Sequence, residues 1–435
     1  MKTKQLLPIL LLLAFLSIQV IKAQELYFPP TTGNEWATLS PDSLNWCPEK
    51  INALYNYLEE KNSKAFILLK DGKIVLEKYF GTFTADSSWY WASAGKSLTG
   101  FLVGIAQQEG FLDINEASSV YLGEGWTSLT SEKENLISVR HQLSMSSGLD
   151  DLVPVRDCTL PECLIYKTDA GQRWAYHNAP YTLLDQVIEN STQRNLNQYV
   201  FQKLTQSTGI AGLYIKLDYN NVFFSKARSM ARFGLLMLNK GRWDSTPIMT
   251  DSVYFHDMTN SSQELNPAYG YLWWLNGKNF YKVPQLQINF PGFLSPNAPA
   301  DMYAALGKNG QFLNVVPSRN LVFVRMGNSP GDDVPFLYND SIWQHINELD
   351  CAVSIKDSKN FENNLKLYPQ PALDMLNLEL SGNNPMKSYE ILDIKGRILL
   401  SGTQAPIDLR LIPSGMYIID IQLSEGNVRK RWIKQ

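Results

Sequence analysis

The chain has 435 residues, 44% of them hydrophobic and 12% aromatic, with a formal net charge of −3 and charges of both signs interspersed. That length and composition allow two or three domains with sizeable cores. The weak, unpatterned charge excludes a nucleic-acid or anionic-membrane surface and leaves a small molecule as the expected partner. The four histidines, His141, His177, His256 and His345, show no ligand spacing with one another or with the cysteines, so neither a metal nor a cofactor is expected.

The first residues, Met1-Lys-Thr-Lys4, precede an apolar run from Leu6 to Val20 and then Ile21-Lys-Ala23. A short basic segment, an apolar stretch and a small residue are the marks of a secretory signal peptide, with cleavage expected after Ala23. Pro8, Ser17 and Gln19 leave the run short for a membrane span. An exported chain with an even number of cysteines is expected to carry disulfides, and four cysteines allow three pairings. Cys158 and Cys163 lie close enough to staple a local loop, which leaves Cys47 to pair with Cys351 and to close one domain near residue 351.

Within that domain, Pro48–Glu60 reads as a helix, with Ile51, Leu54, Tyr55 and Leu58 on one face. Two β-rich runs, Ala65–Lys70 and Lys73–Tyr79, flank Asp71-Gly72 and predict a hairpin. Ser97 to about Gln108 turns helical, with Leu98, Phe101, Leu102 and Ile105 on one side and Gly110 as a stop. Residues from about 112 to 260 read as loops and helices, including helices over Pro180–Ser191 and Ser225–Asn239. Strand character returns in Gly270–Leu275, Met302–Leu306, Gln311–Val316 and Asn320–Gly327, with a turn at Pro317-Ser-Arg-Asn320. A helix from Phe336 to Leu349 completes an α+β domain, an antiparallel sheet flanked by helices with a helical insert. Residues 352–364 are polar and linker-like. Beyond them, the alternating Leu376, Leu378 and Leu380, then Tyr389–Ile394 and Met416–Leu423, with Gly396, Gly402, Gly415 and Gly426 as punctuation, predict a small C-terminal all-β sandwich over 365–435.

Three short stretches carry chemistry. In Trp89-Tyr-Trp-Ala-Ser93-Ala-Gly-Lys96, serine and lysine are three apart at a helix start, which sets both side chains on one side. A serine hydroxyl needs a base within reach, and a lysine among aromatic rings can lose enough proton affinity to be that base. No other serine of the chain has lysine at the third following position. Serine is also a preferred helix cap, a role compatible with this one. Tyr176-His-Asn178 supplies a phenol that can relay protons and an amide that can orient lysine and substrate; Tyr219-Asn-Asn221 has the same form. Lys308-Asn-Gly310 followed by Gln311 lies between two strands and places a cation where it could hold a carboxylate; Lys70-Asp-Gly72 repeats that form as a hairpin turn.

The order Ser-x-x-Lys, Tyr-x-Asn, Lys-x-Gly resembles the serine β-lactamase and penicillin-binding-protein superfamily, in particular the class C-like branch of esterases, D-amino-acid peptidases and 6-aminohexanoate-dimer hydrolases. Ile137–Leu149, Ala231–Leu238 with Gly241-Arg-Trp243, and Tyr269–Trp274 look like the same branch, and the resemblance spans about residues 48–350. It implies Ser93 as acylated nucleophile, Lys96 as general base and Tyr176 as proton relay. It further implies Asn178, Lys308, Gly310 and Gln311 on the substrate side, with backbone N–H groups of Ser93 and Gln311 as the oxyanion hole. Asn309 stands where many members carry threonine, serine or glycine, and Gln311 is bulkier than the small residue of true β-lactamases. The expectation is therefore an ester, amide or peptide substrate ahead of a β-lactam. A non-catalytic sensor on the same fold is the alternative, and a surface adhesin a third reading.

Leu367-Tyr-Pro-Gln-Pro371, the alternating leucines, Gly396-Arg397, Leu411-Ile-Pro-Ser-Gly-Met-Tyr417 and the basic end resemble the C-terminal sorting domain of the type IX (Por) secretion system. Gln370 departs from the asparagine usual between the two prolines. The resemblance implies outer-membrane secretion machinery as a partner through residues 365–435 and a protein that is secreted or held at the cell surface; a monomer is expected.

Overall fold

The computed structural model describes residues 26–331, 335–351, 365–380, 385–393, 397–424 and 426–435. The signal peptide and the 352–364 linker expected from the sequence lie outside these. The chain divides into two compact units between Leu349 and Asp350.

The first unit begins with α1 (Pro48–Glu60), whose Leu54 and Leu58 are buried, followed by the hairpin β1 (Ser63–Lys70) and β2 (Lys73–Tyr79). Asp71 and Gly72 both take positive φ, as a tight two-residue hairpin turn requires. A short strand β3 (Ser88–Tyr90) leads through one turn of 3-10 helix, Ala92–Ala94, into α2 (Gly95–Gln108). Every residue of α2 from Gly95 to Ala106 is buried. Such a helix has no solvent face and can only be the centre of the domain.

The middle of the chain holds α3 (Asn178–Thr182), α4 (Leu184–Thr192), the hairpin β4 (Gly212–Leu217) and β5 (Asn220–Lys226), and α5 (Ala227–Leu238). The expected helix over 180–191 is thus two, broken at Leu183. Ser225 and Lys226 belong to a strand rather than to the helix that follows. β3, β5 and β4 form a separate three-stranded sheet in that order. This hairpin was not anticipated, although Leu213, Ile215 and Leu217 alternate with Tyr214 and Lys216 as a strand should.

The chain then returns to the main sheet with β6 (Trp274–Leu275), β7 (Tyr303–Gly307), β8 (Gln311–Val316) and β9 (Leu321–Gly327), and closes with α6 (Pro335–Asn347). Of the strand expected over 270–275, only the last two residues pair regularly; Leu272 has a φ of 61°. The sheet order is β2-β1-β9-β8-β7-β6, antiparallel throughout, with Ala65 opposite Met326 and Lys70 opposite Leu321. The N-terminal hairpin therefore zips onto the last strand, and everything between is threaded out and back. β8 and β9 are buried on both faces, so they read as continuous apolar runs rather than alternating ones. α5 lies close on this sheet at Gly234, where a Cβ would come within 2.5 Å of Val322 and 2.6 Å of Leu313. The Cys47 N–H donates to the Leu349 carbonyl at 2.9 Å, so the domain's first helix starts beside its last residues. Cys158 and Cys163 are joined, each of the other two cysteines is itself disulfide-bonded, and no cysteine is free.

The second unit is all β. β10 (Leu365–Tyr368), β11 (Met375–Leu380) and β14 (Ile407–Asp408) form one sheet. β12 (Met386–Leu392), β13 (Ile398–Gly402), β15 (Gly415–Leu423) and β16 (Gly426–Lys434) form the other, in the order β13-β12-β15-β16. Leu365, Leu376, Ile391, Ile419, Ile421 and Trp432 fill its core.

Candidate active site

Ser93 owes its position to the aromatic residues before it. The Trp91 N–H donates to Phe223 O at 2.8 Å, its indole N–H donates to Ser225 Oγ at 2.8 Å, and its ring packs edge-on to Phe223 at 5.0 Å. With Trp91 pinned, Ala92 is held at a φ of 47°, a conformation that costs a non-glycine residue about 1–3 kcal/mol. The chain then enters the turn bearing Ser93. The Ser93 side chain caps neither the turn nor α2, which start at Trp91 and Ala94 without a side-chain bond. The capping role read from the sequence is therefore corrected, and the hydroxyl is left to Lys96. On the other side of the turn passes the end of β7. A Cβ at Gly307 would sit 2.6 Å from Trp91 O and 2.9 Å from Ala94 N, so only glycine lets strand and turn meet here.

Lys96 lies one helical turn on, 4% exposed, and its Nζ is 3.2 Å from Ser93 Oγ. The ammonium sits 4.1 Å from the centroid of Tyr181 and 5.2 Å from that of Tyr176. Burial in this enclosure pulls its pKa from the ordinary 10.5 down to about 7, against the opposing pull of Asp157 and Asp185. Tyr176 stacks on Trp274 at 5.6 Å and 19°, and Tyr269 meets it edge-on at 6.1 Å, which fixes its ring. Burial holds its phenol well above the ordinary value, partly offset by the nearby Ser93 side chain.

Ser93, Lys96, Asn178 and Lys308 border one cavity of about 470 Å³, together with Tyr90, Ala92, Asp157, Tyr181, Asn220, Asn221 and the β4–β5 turn. Lys308 reaches it from the Lys308–Gly310 turn, a tight connection in which Gly307 pairs with Gln311. Gly310 and Gln311 do not border the cavity. Gly310, at a φ of 74°, faces Arg325, where a Cβ would lie 2.7 Å from the guanidinium. The Gln311 side chain is wholly buried and bridges to β9, donating to Gly327 O at 2.6 Å and accepting from Gly327 N at 3.0 Å.

Several residues at this site were not singled out from the sequence. Asp157, beside the Cys158–Cys163 loop, accepts from Asn178 Nδ2 at 2.7 Å and from Asn220 Nδ2 at 3.1 Å. Asp185, 6% exposed, accepts from Asn221 Nδ2 at 2.9 Å, and burial pushes its pKa up to about 7. The second Tyr-x-Asn tripeptide is thus part of the same wall as the first. Arg325, wholly buried on β9, donates to the carbonyls of Asn309 at 2.6 Å, Gly310 at 3.0 Å and Lys61 at 2.6 Å, and to Ser63 Oγ at 3.0 Å. It fixes the turn that presents Lys308. His177, between Tyr176 and Asn178, is buried and pulled down to about 4, so it is neutral at pH 7.

An antiparallel sheet covered by helices, with a serine and a buried lysine paired at the start of the central helix, is the architecture of the β-lactamase and transpeptidase fold. The β-lactamase family model matches residues 58–345, and the chain belongs to that family. Its fold is similar to that of a putative 6-aminohexanoate-dimer hydrolase from Bacillus anthracis, with a TM-score of 0.57 and 17% identity over 74% of this chain and 91% of that one. It is also similar to a putative β-lactamase from Bacteroides dorei, with a TM-score of 0.55 and 14% identity over 69% and 98%. An uncharacterised protein of Alkalihalophilus pseudofirmus is 24% identical over 65% of this chain and 88% of its own length. Residues 366–435 match the secretion system C-terminal sorting domain, which directs the protein to secretion or the cell surface through the type IX system.

Proposed function

We propose that the protein hydrolyses an ester or amide through an acyl-enzyme on Ser93. Neutral Lys96 accepts the Ser93 proton as Oγ attacks the carbonyl carbon. The tetrahedral oxyanion is met by the Ser93 N–H, at the start of a turn where backbone donors have no partner within the turn. Tyr176, whose ring lies 5.2 Å from Lys96 Nζ, relays the proton to the leaving group as the C–O or C–N bond breaks, and water then releases the acid and frees Ser93 by the reverse transfers. Asn178 and Lys308 orient the substrate.

The observation that carries this reading is the 3.2 Å contact between Ser93 Oγ and a lysine whose proton affinity is lowered to about pH 7. A general base works best when its pKa lies near the working pH. A protein that only sensed a ligand would have no use for a costly buried ammonium. The test is a panel of short-chain 4-nitrophenyl esters, amino-acid amides, small peptides and nitrocefin, run with wild type and Ser93→Ala. Turnover of an ester or amide that disappears with the hydroxyl supports the reading, and turnover that survives in Ser93→Ala contradicts it.

A further inference from the structure

His177 is the middle residue of Tyr176-His-Asn178 and has no part in the chemistry proposed for its neighbours. It is 2% exposed, and neither Nδ1 nor Nε2 has a hydrogen-bond partner among the described residues. A neutral imidazole buried with its donor and its acceptor both unmet is costly. Two more unmet atoms belong to the ion pair beside it. Arg173 Nη2 donates to Asp151 Oδ1 at 2.6 Å, while Arg173 Nη1 and Asp151 Oδ2 are buried without partners among the described residues, on an aspartate 3% exposed. The charges acting on the ring are those of Asp151 and Asp150, which favour its protonation, and that of Arg173, which opposes it; Arg156 approaches through its backbone. Behind them, Lys167 pairs with Asp150 at 3.3 Å, and Lys282 feels the charge of Arg173. None of these groups borders the Ser93 cavity.

This arrangement admits a second form. A protonated ring donates from both nitrogens, and the free Asp151 Oδ2 is an acceptor for it, in competition with Arg173. The main chain offers little resistance. The Ala175 N–H is held by Met145 O at 2.8 Å, but the N–H groups of Tyr176 and His177 make no main-chain hydrogen bond among the described residues. A segment held mainly by side chains opens more readily than the helices and strands around it. Burial depresses the His177 pKa from the ordinary 6.5 to about 4. An opened segment therefore binds more protons between those values, and the closed form loses stability as pH falls through that window.

We infer that His177 is an acid-sensitive latch on the Tyr176–Asn178 segment: the closed site accommodates only the neutral ring, and protonation draws the ring toward Asp151 and releases Tyr176 and Asn178 from their places. The latch regulates the site of the acyl-enzyme reading and rests on that reading for its purpose.

The test is hydrogen exchange of the full-length protein, read by mass spectrometry and corrected for the intrinsic pH dependence of exchange, in wild type and His177→Asn. Fluorophosphonate labelling of Ser93 after return to pH 8 is run in parallel. Between pH 6.5 and pH 4.5, protection of wild-type peptides over 173–178 should fall by roughly 30-fold while peptides of α2 and the main sheet keep theirs. In His177→Asn the fall should disappear, and wild-type labelling at pH 8 should recover in full. The latch is overturned if the 173–178 peptides exchange alike at both pH values, if α2 opens in step with them, or if the fall persists in His177→Asn. Should that variant not fold, a proton–carbon NMR titration of the wild type decides, with the other histidine signals identified through His141→Gln, His256→Gln and His345→Gln: a remaining histidine that titrates at its ordinary pKa overturns the latch. Absence of labelling beside the expected exchange pattern would remove the acyl-enzyme reading and not the latch.

Discussion

The two walls that meet at Ser93 are built on opposite plans. One is aromatic: Tyr176 and Tyr181 enclose Lys96, and burial strips the ammonium of its hold on the proton. The other is polar: Asp157 and Asp185 set the direction of three asparagine amides. The aromatic wall controls reactivity, because it decides the protonation state of the base. On the reading proposed above, the polar wall acts in selection, because its amides and carboxylates are the partners a substrate would find there. Asp157 and Asp185 also act across the cavity, favouring the charged form of Lys96, so the two plans are coupled through one lysine.

The largest effect is expected on the aromatic wall. Lys96→Met should lower kcat/KM by about 10²–10⁴-fold, the range of a lost general base, and raise the melting temperature. In wild type the folded-state pKa of Lys96, about 7, lies below its ordinary 10.5. The unfolded chain therefore binds more protons between those values, and wild-type stability rises with pH across that window. The gain in Tm from Lys96→Met should accordingly be larger at pH 7 than at pH 10, which calorimetry at the two pH values checks.

A smaller effect tests the coupling. The acid limb of kcat/KM in wild type should have its midpoint near pH 7, because only neutral Lys96 accepts the serine proton. Asp185→Asn removes a charge that favours the lysine's protonated form, so the midpoint should move to lower pH, by about half to one unit. A uniform loss of rate with no shift would make Asp185 a packing residue only. The smallest effect belongs to the polar wall's support. Replacing both Cys158 and Cys163 by serine frees the loop next to Asp157, and should raise KM by a few-fold, roughly the worth of one imperfect hydrogen bond, with kcat little changed.

Much of this was legible because the relevant signals are local. The spacing of Ser93 and Lys96 survives as a 3.2 Å contact, and the β-rich runs joined by short turns survive as the paired strands of both hairpins in the main sheet. The polar wall was not legible for the opposite reason. Asp157, Asp185 and Asn221 are far apart in sequence and are joined only because the β4–β5 hairpin folds over α4. That hairpin was overlooked in a region dominated by helical patterns. What a sequence does not reveal is which face of a turn is filled: the Gln311 side chain packs inward against Gly327, beside Arg325, so only its backbone is left for the oxyanion role that the resemblance implies. Ser93 had the composition of a cap, but Ala92 at positive φ turns its hydroxyl to Lys96 instead.

The central claim is that Ser93 forms a covalent acyl intermediate with Lys96 as its base. Intact-mass spectrometry after incubation with a fluorophosphonate at pH 8 tests it most directly. A single adduct on the peptide containing Ser93, absent in Ser93→Ala and strongly slowed in Lys96→Met, is the predicted result. An adduct of equal yield in Ser93→Ala, or labelling by the wild type at another serine alone, would contradict it.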